Sequence, residues 1–145
     1  MNESTINAAY AGYFNVPLGL VIGDDSLKKQ LHNEDSLHWV EYVTTKYSLS
    51  RFAVKNKPMN IVRRETMEAV KKVLETDFSK IPIYKFEPPI ILKIELQTAS
   101  MADAISMMPD VKRIDGVTVE MAHKDYKQIC NAIDAISTLS RSVKW

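Results

Sequence analysis

Only one cysteine, Cys130, occurs in the 145 residues, so the chain can close no disulfide of its own. Glycine is nearly as scarce, with four in all. No P-loop, G-x-G-x-x-G cradle or G-x-S-x-G elbow occurs, and nucleotide binding by those routes is not expected. No apolar run approaches the roughly 20 residues that a membrane-spanning helix needs. The formal charge of +1 gives no global pull toward nucleic acid or a membrane surface, so neither is an expected partner. The start, Met-Asn-Glu-Ser-Thr, lacks the basic-then-apolar pattern of an export leader, and cytoplasm is the expected compartment.

What is present is ordinary globular material, 46% apolar and 26% charged, in a length that can bury a real core. An Ala-rich stretch from Glu3 to about Phe14 predicts a helix stopping at Gly12. Val16 to Ile22 is continuously apolar and predicts a strand covered on both faces. Gly23-Asp24-Asp25-Ser26 supplies a turn and caps for a short helix bearing Leu27 and Leu31. Trp39 to Tyr47 reads as a second strand, Ser48 to Lys57 as a polar loop, and Pro58 as the opening of an amphipathic helix.

Ile90, Leu92, Ile94 and Leu96 alternate with Lys93 and Glu95, which predicts a strand with one buried and one wet face. A short helix from Ser100 to Met108 follows. Asp115-Gly116 then predicts a tight hairpin turn with Ile114, Val117 and Val119 on one face. A last helix from about Lys124 carries the seam Tyr126, Ile129, Ile133 and Ile136. The fold class is therefore α/β: a three-layer α/β/α piece over residues 1–80, then an α+β portion over 81–145 with a β-hairpin and a C-terminal helix. The boundary is expected near residues 78–89, among Pro82, Pro88 and Pro89.

Few residues point to chemistry by type and spacing alone. His32, His38 and His123 match neither H-E-x-x-H nor a zinc-finger spacing, and scattered histidines are more often surface residues than ligands. Cys130 sits beside an apolar seam, where a small hydrophobe suffices. Asp24 and Asp25 follow a strand, where α/β proteins place ligand clefts; helix capping explains the same pair with less machinery. Eight bases lie between Lys46 and Lys72, and a solvated helix face is the commoner meaning of such a run. Glu3 alone reads as an acid near a helix N-terminus.

An ordered set of segments carries more. They are Glu3-Ser4-Thr5-Ile6-Asn7-Ala8, Ala11-Gly12-Tyr13-Phe14-Asn15-Val16-Pro17, Gly23-Asp24-Asp25, Lys46 with Ser50-Arg51-Phe52-Ala53-Val54-Lys55, Met107-Met108-Pro109, and Asp115-Gly116 with Thr118-Val119. Together they resemble the C-terminal half of the D-aminopeptidase family of dinuclear zinc metallopeptidases. The resemblance implies that Glu3 matches one zinc ligand of that family, with Asn7, Asp24, Asp25 and Arg51 as candidate site wall. It also implies that the other four ligands and the histidine used in catalysis belong to the half not covered, and that Asn2 stands where the family tends to have glycine.

Two zinc ions about 4 Å apart can share an activated water and polarise a scissile carbonyl, which takes several carboxylates and imidazoles. One glutamate cannot hold such a pair. The implied protein is a zinc-dependent hydrolase of short peptides with N-terminal D-amino acids. In this reading the chain is incomplete and inactive alone, works with an upstream half, and assembles as a homo-oligomer. A non-catalytic oligomeric α/β assembly module is the alternative.

Overall fold

The computed structural model describes residues 1–32 and 36–143. They form two compact units, residues 1–85 and 86–145, each built around its own three-stranded sheet.

The first unit opens with helix α1 (Glu3–Tyr13), which starts at a capping box. Asn2 Oδ1 accepts the Thr5 amide at 3.1 Å, and Thr5 Oγ1 accepts the Asn2 amide at 3.0 Å. The expected stop at Gly12 moves onward to Asn15, which takes φ 60. Its N–H donates to the Gly12 carbonyl at 2.9 Å and the Val16 N–H to that of Ala11 at 3.0 Å. This is a Schellman ending with asparagine in the left-handed seat. Gly12 serves close approach instead: a Cβ there would lie 2.0 Å from the Tyr84 carbonyl oxygen.

β1 (Leu20–Asp24) begins later than the apolar run, and Ile22 remains 46% exposed. The expected cover on both faces is thus incomplete at this strand. Helix α2 (Asp25–Leu31) carries the chain over to β2 (Glu41–Ser50), which pairs parallel with β1. The expected loop after Ser48 contains a strand, β3 (Ala53–Asn56), antiparallel to β2 through a turn at Arg51 and Phe52. Its residues are all exposed, so no burial alternation marks them in the sequence.

Helix α3 (Met59–Leu74) opens after Pro58 as expected and lies on the sheet face that bears Glu41 and Val43. Leu27 of α2 lies on the other face, against Gly23 and the Tyr42 phenol. Ala8, Leu31, Leu37 and Val40 form the core on that second face. Leu31 and Leu37 are fully enclosed, and each contributes about 1.5–3 kcal/mol of burial.

The second unit comprises β4 (Ile90–Glu95), α4 (Ala99–Ile105), β5 (Val111–Arg113), β6 (Thr118–His123) and α5 (Tyr126–Ser142). Its sheet is antiparallel in the order β4-β6-β5. The alternation expected in β4 is present: Leu92 and Ile94 face Ala102, Ile105, Val119 and Ile136 of the core, while Lys93 and Glu95 are exposed.

The hairpin differs from expectation. Pairing ends at Arg113 with Val119, so residues 114–117 make a longer loop, and Ile114 is exposed rather than packed with Val119. Gly116 does not take a positive φ, the property a tight Asp-Gly turn would use. The Ile114 N–H closes the loop by donating to the Thr118 carbonyl at 2.9 Å, and side chains reinforce it. Asp115 Oδ1 accepts the Val117 and Thr118 amides at 2.9 and 2.7 Å, and Arg113 donates to the Asp115 and Gly116 carbonyls at 2.8 and 2.6 Å. Arg113 also pairs with Asp103. Among the described residues the chain is a mixed α/β protein of five α-helices and two small sheets.

Candidate functional site

Glu3 is the first residue of α1, directly after its cap, and is exposed. The cap positions it. Asn2 accepts from Thr5 through its side-chain oxygen and donates from Nδ2 to Gln30 Oε1 of α2 at 3.1 Å, so the start of α1 is tied to its neighbour helix. Asn2 therefore has a structural task. Asn7 lies one turn along, four residues on, and shares the exposed stripe of α1 with Glu3. Among the described residues Glu3 has no ion-pair partner.

Asp24 and Asp25 lie at the C-terminal end of β1, where a cleft of an α/β sheet is expected. Both carboxylates are engaged in structure. Asp24 Oδ1 caps α2 by accepting the Leu27 amide at 2.8 Å, and Asp25 Oδ1 accepts the Ser48 amide of β2 at 2.7 Å. The Ser48 bond, aided by Lys29 at 3.7 Å, holds the Asp25 carboxyl below the usual carboxylate range.

Tyr42 completes this cluster, a residue that the sequence marks only as strand-like. Its phenol donates to the Asp24 carbonyl at 2.7 Å. Partial burial, with the charges of Asp24 and Asp25, pushes its pKa up to about 12. The hydroxyl thus stays a donor at any physiological pH.

Arg51 projects from the β2–β3 turn with its guanidinium 5.3 Å from the centre of the Phe52 ring. The structure brings Asp24 and Asp25 together with Tyr42 and Ser48. No hydrogen bond or ion pair joins that cluster, the Glu3–Asn7 stripe and Arg51 to one another among the described residues.

The histidines are equally dispersed. His32 ends α2, His38 lies against Trp39, and His123 Nδ1 accepts the Asp125 amide at 2.9 Å. Cys130 is half-buried in α5, and burial pushes its thiol up. A hollow of about 250 Å³ between β2 and α3 is occupied by structural ion pairing: Lys72 meets Glu41 at 2.6 Å, and Glu65 on its wall meets Lys57 at 2.7 Å.

Zinc sites need about four protein ligands when structural, and about three plus water when catalytic. Among the described residues, no group of three or more His, Cys, Asp or Glu side chains is placed to hold a metal ion. Glu3 offers a single carboxylate, which does not by itself fit the ion.

A sequence model of D-aminopeptidases matches residues 1–135. This chain belongs to the D-aminopeptidase family. A D-aminopeptidase of Bacillus subtilis (strain 168) is 28% identical over 141 residues, covering 97% of this chain and 50% of the relative. The solved structure of the Zn-dependent D-aminopeptidase DppA from Bacillus subtilis, described as a self-compartmentalizing protease, matches with a TM-score of 0.89. Identity is 25%, over 100% of this chain and 52% of DppA. This D-aminopeptidase family member thus has the fold of the matched portion of DppA and spans about half the length of these relatives.

Proposed function

We propose that the chain is the C-terminal part of a zinc-dependent D-aminopeptidase that removes N-terminal D-amino acids from short peptides. The family match across residues 1–135, set against the half-length coverage of both relatives, carries this reading. Glu3 supplies one metal ligand, and the remaining ligands come from an upstream half. The assembled enzyme is a homo-oligomer, a reading supported by the self-compartmentalizing character of DppA. Alone, the chain has too few ligands to fix zinc and is inactive.

The test is release of D-alanine from a D-alanyl dipeptide in the presence of zinc. The 145-residue chain should release none, and the chain joined to the N-terminal half of the Bacillus subtilis enzyme should release it. Glu3→Gln keeps the size of the side chain and removes its charge. It should lower release by more than about 100-fold, since even outer-shell partners of a metal are worth 10–100-fold. Full activity of the joined Glu3→Gln protein would remove Glu3 from the ligand set. Activity of the unjoined chain would overturn the reading of an incomplete site. A non-catalytic assembly module is the second reading, favoured by the exposed apolar tip of the β2–β3 hairpin, where Phe52 is 90% exposed.

A further inference from the structure

β1 is the outer strand of its sheet, and the register shows which of its backbone groups face outward. The Gly19 carbonyl accepts the Glu41 amide at 3.0 Å, so Gly19, Val21 and Gly23 turn their peptide groups toward β2. Leu20 and Ile22 are one step out of phase and turn theirs to the opposite side, where no strand lies among the described residues. Natural sheet edges are usually blunted by charge, proline or a bulge; in β1 the register shift and the charge of Asp24 come only at the C-terminal end, and Leu20 to Ile22 has none of these. The other edge, β3, carries the charged Lys55 within its run. Ile22 adds an apolar side chain 46% exposed.

α1 gives the second observation. It leads into β1 and packs Ala8 into the core that also holds Leu31 of α2. α2 is itself the crossover helix between parallel β1 and β2. A helix on the same face that feeds the outer parallel strand fits the second half of another crossover, whose first strand lies beside β1. The open edge and the leading helix therefore require the same element. Relatives about twice as long have the chain to supply it.

We infer that the free edge of β1, at Leu20 and Ile22, docks a strand from the N-terminal half of a D-aminopeptidase, parallel to β1 and leading into α1. The inference rests on the proposed function and names the surface through which the two halves join. Parallel pairing would bring the C-terminal end of that strand to Glu3.

Amide hydrogen exchange tests the docking. The probe is the N-terminal half of the Bacillus subtilis enzyme placed ahead of Met1 in one polypeptide, where linkage supplies a high effective concentration. The Leu20 and Ile22 amides should exchange at least about 100-fold more slowly than in the 145-residue chain, with Val21 and Gly23 little changed. Ile22→Pro removes a donor on the outer side only and should restore fast exchange at Leu20. Fast exchange at Leu20 in the joined protein would overturn the inference. So would protection already present in the 145-residue chain that rises with concentration, since a second copy would then occupy the edge. Slow exchange without peptide hydrolysis would support the docking and count against the enzymatic reading; hydrolysis without protection would sink the docking alone.

Discussion

Asn2 and Asp24 start their helices by the same means, a side-chain oxygen accepting an amide of the first turn. Asn2→Ala should therefore cost about 1 kcal/mol in chemical denaturation, and Asn2→Gly only a few tenths, because glycine also tolerates the cap position. Equal losses for the two would mean that the cap does not set the start of α1. At Tyr42 the folded pKa of about 12 lies above the ordinary value of 10. The unfolded chain loses this proton first as pH rises, so the phenol's contribution to stability is complete below about pH 10 and is lost as pH rises through 12. The difference in urea midpoint between the wild-type protein and Tyr42→Phe should be constant from pH 7 to 9 and shrink above pH 10. A difference that stays flat to pH 11.5 would show that the phenol is not held neutral by its surroundings.

Elements that bury a face were legible in the sequence, and those that bury none were not. The alternation in β4 and the seam of α5 follow from burial of Leu92, Ile94, Ile129 and Ile136. β3 escaped because Ala53 to Asn56 are all exposed, and the end of α1 was misplaced because asparagine takes the left-handed seat usually given to glycine. The β5–β6 connection was recognised as a hairpin, but its loop is reinforced by the Asp115 carboxylate and the Arg113 guanidinium rather than set by glycine φ. Asp115→Ala should accordingly destabilise the second unit by roughly 1–2 kcal/mol in thermal melts, as a lost hydrogen-bond acceptor does. Gly116→Ala should be nearly neutral, since a Cβ there meets no atom within 4 Å and φ is not positive. A larger loss for Gly116→Ala than for Asp115→Ala would reverse this account.

At the scale of the whole molecule, the site was the least legible part. Glu3 has no partner that spacing could reveal, and its reading came from the order of short segments along the chain; the distances add the cap that holds it. Tyr42 carried no separate signal, because its phenol meets Asp24 only through the β1–β2 register. The first unit exposes several apolar side chains: Met67, Val70 and Leu74 on one stripe of α3, and Phe52 at the hairpin tip. Light scattering at micromolar concentration should show a mass above 16.5 kDa. Phe52→Ser with Met67→Ser should bring it down, and Ile22→Pro should leave it unchanged. A monomer in the wild-type protein would show that these surfaces do not associate by themselves.

The one thiol in the chain is in the second unit, half-covered in α5 and discouraged from ionising by burial. Opening of α5 would uncover the sulfur further, so a rise in the rate of label uptake reports on that unit alone. No other sulfhydryl contributes background, so changes made around β1 can be scored for whether their effects stay in the first unit. A substitution at Leu20 or Ile22 that quickens labelling of Cys130 would reveal that the two units open together.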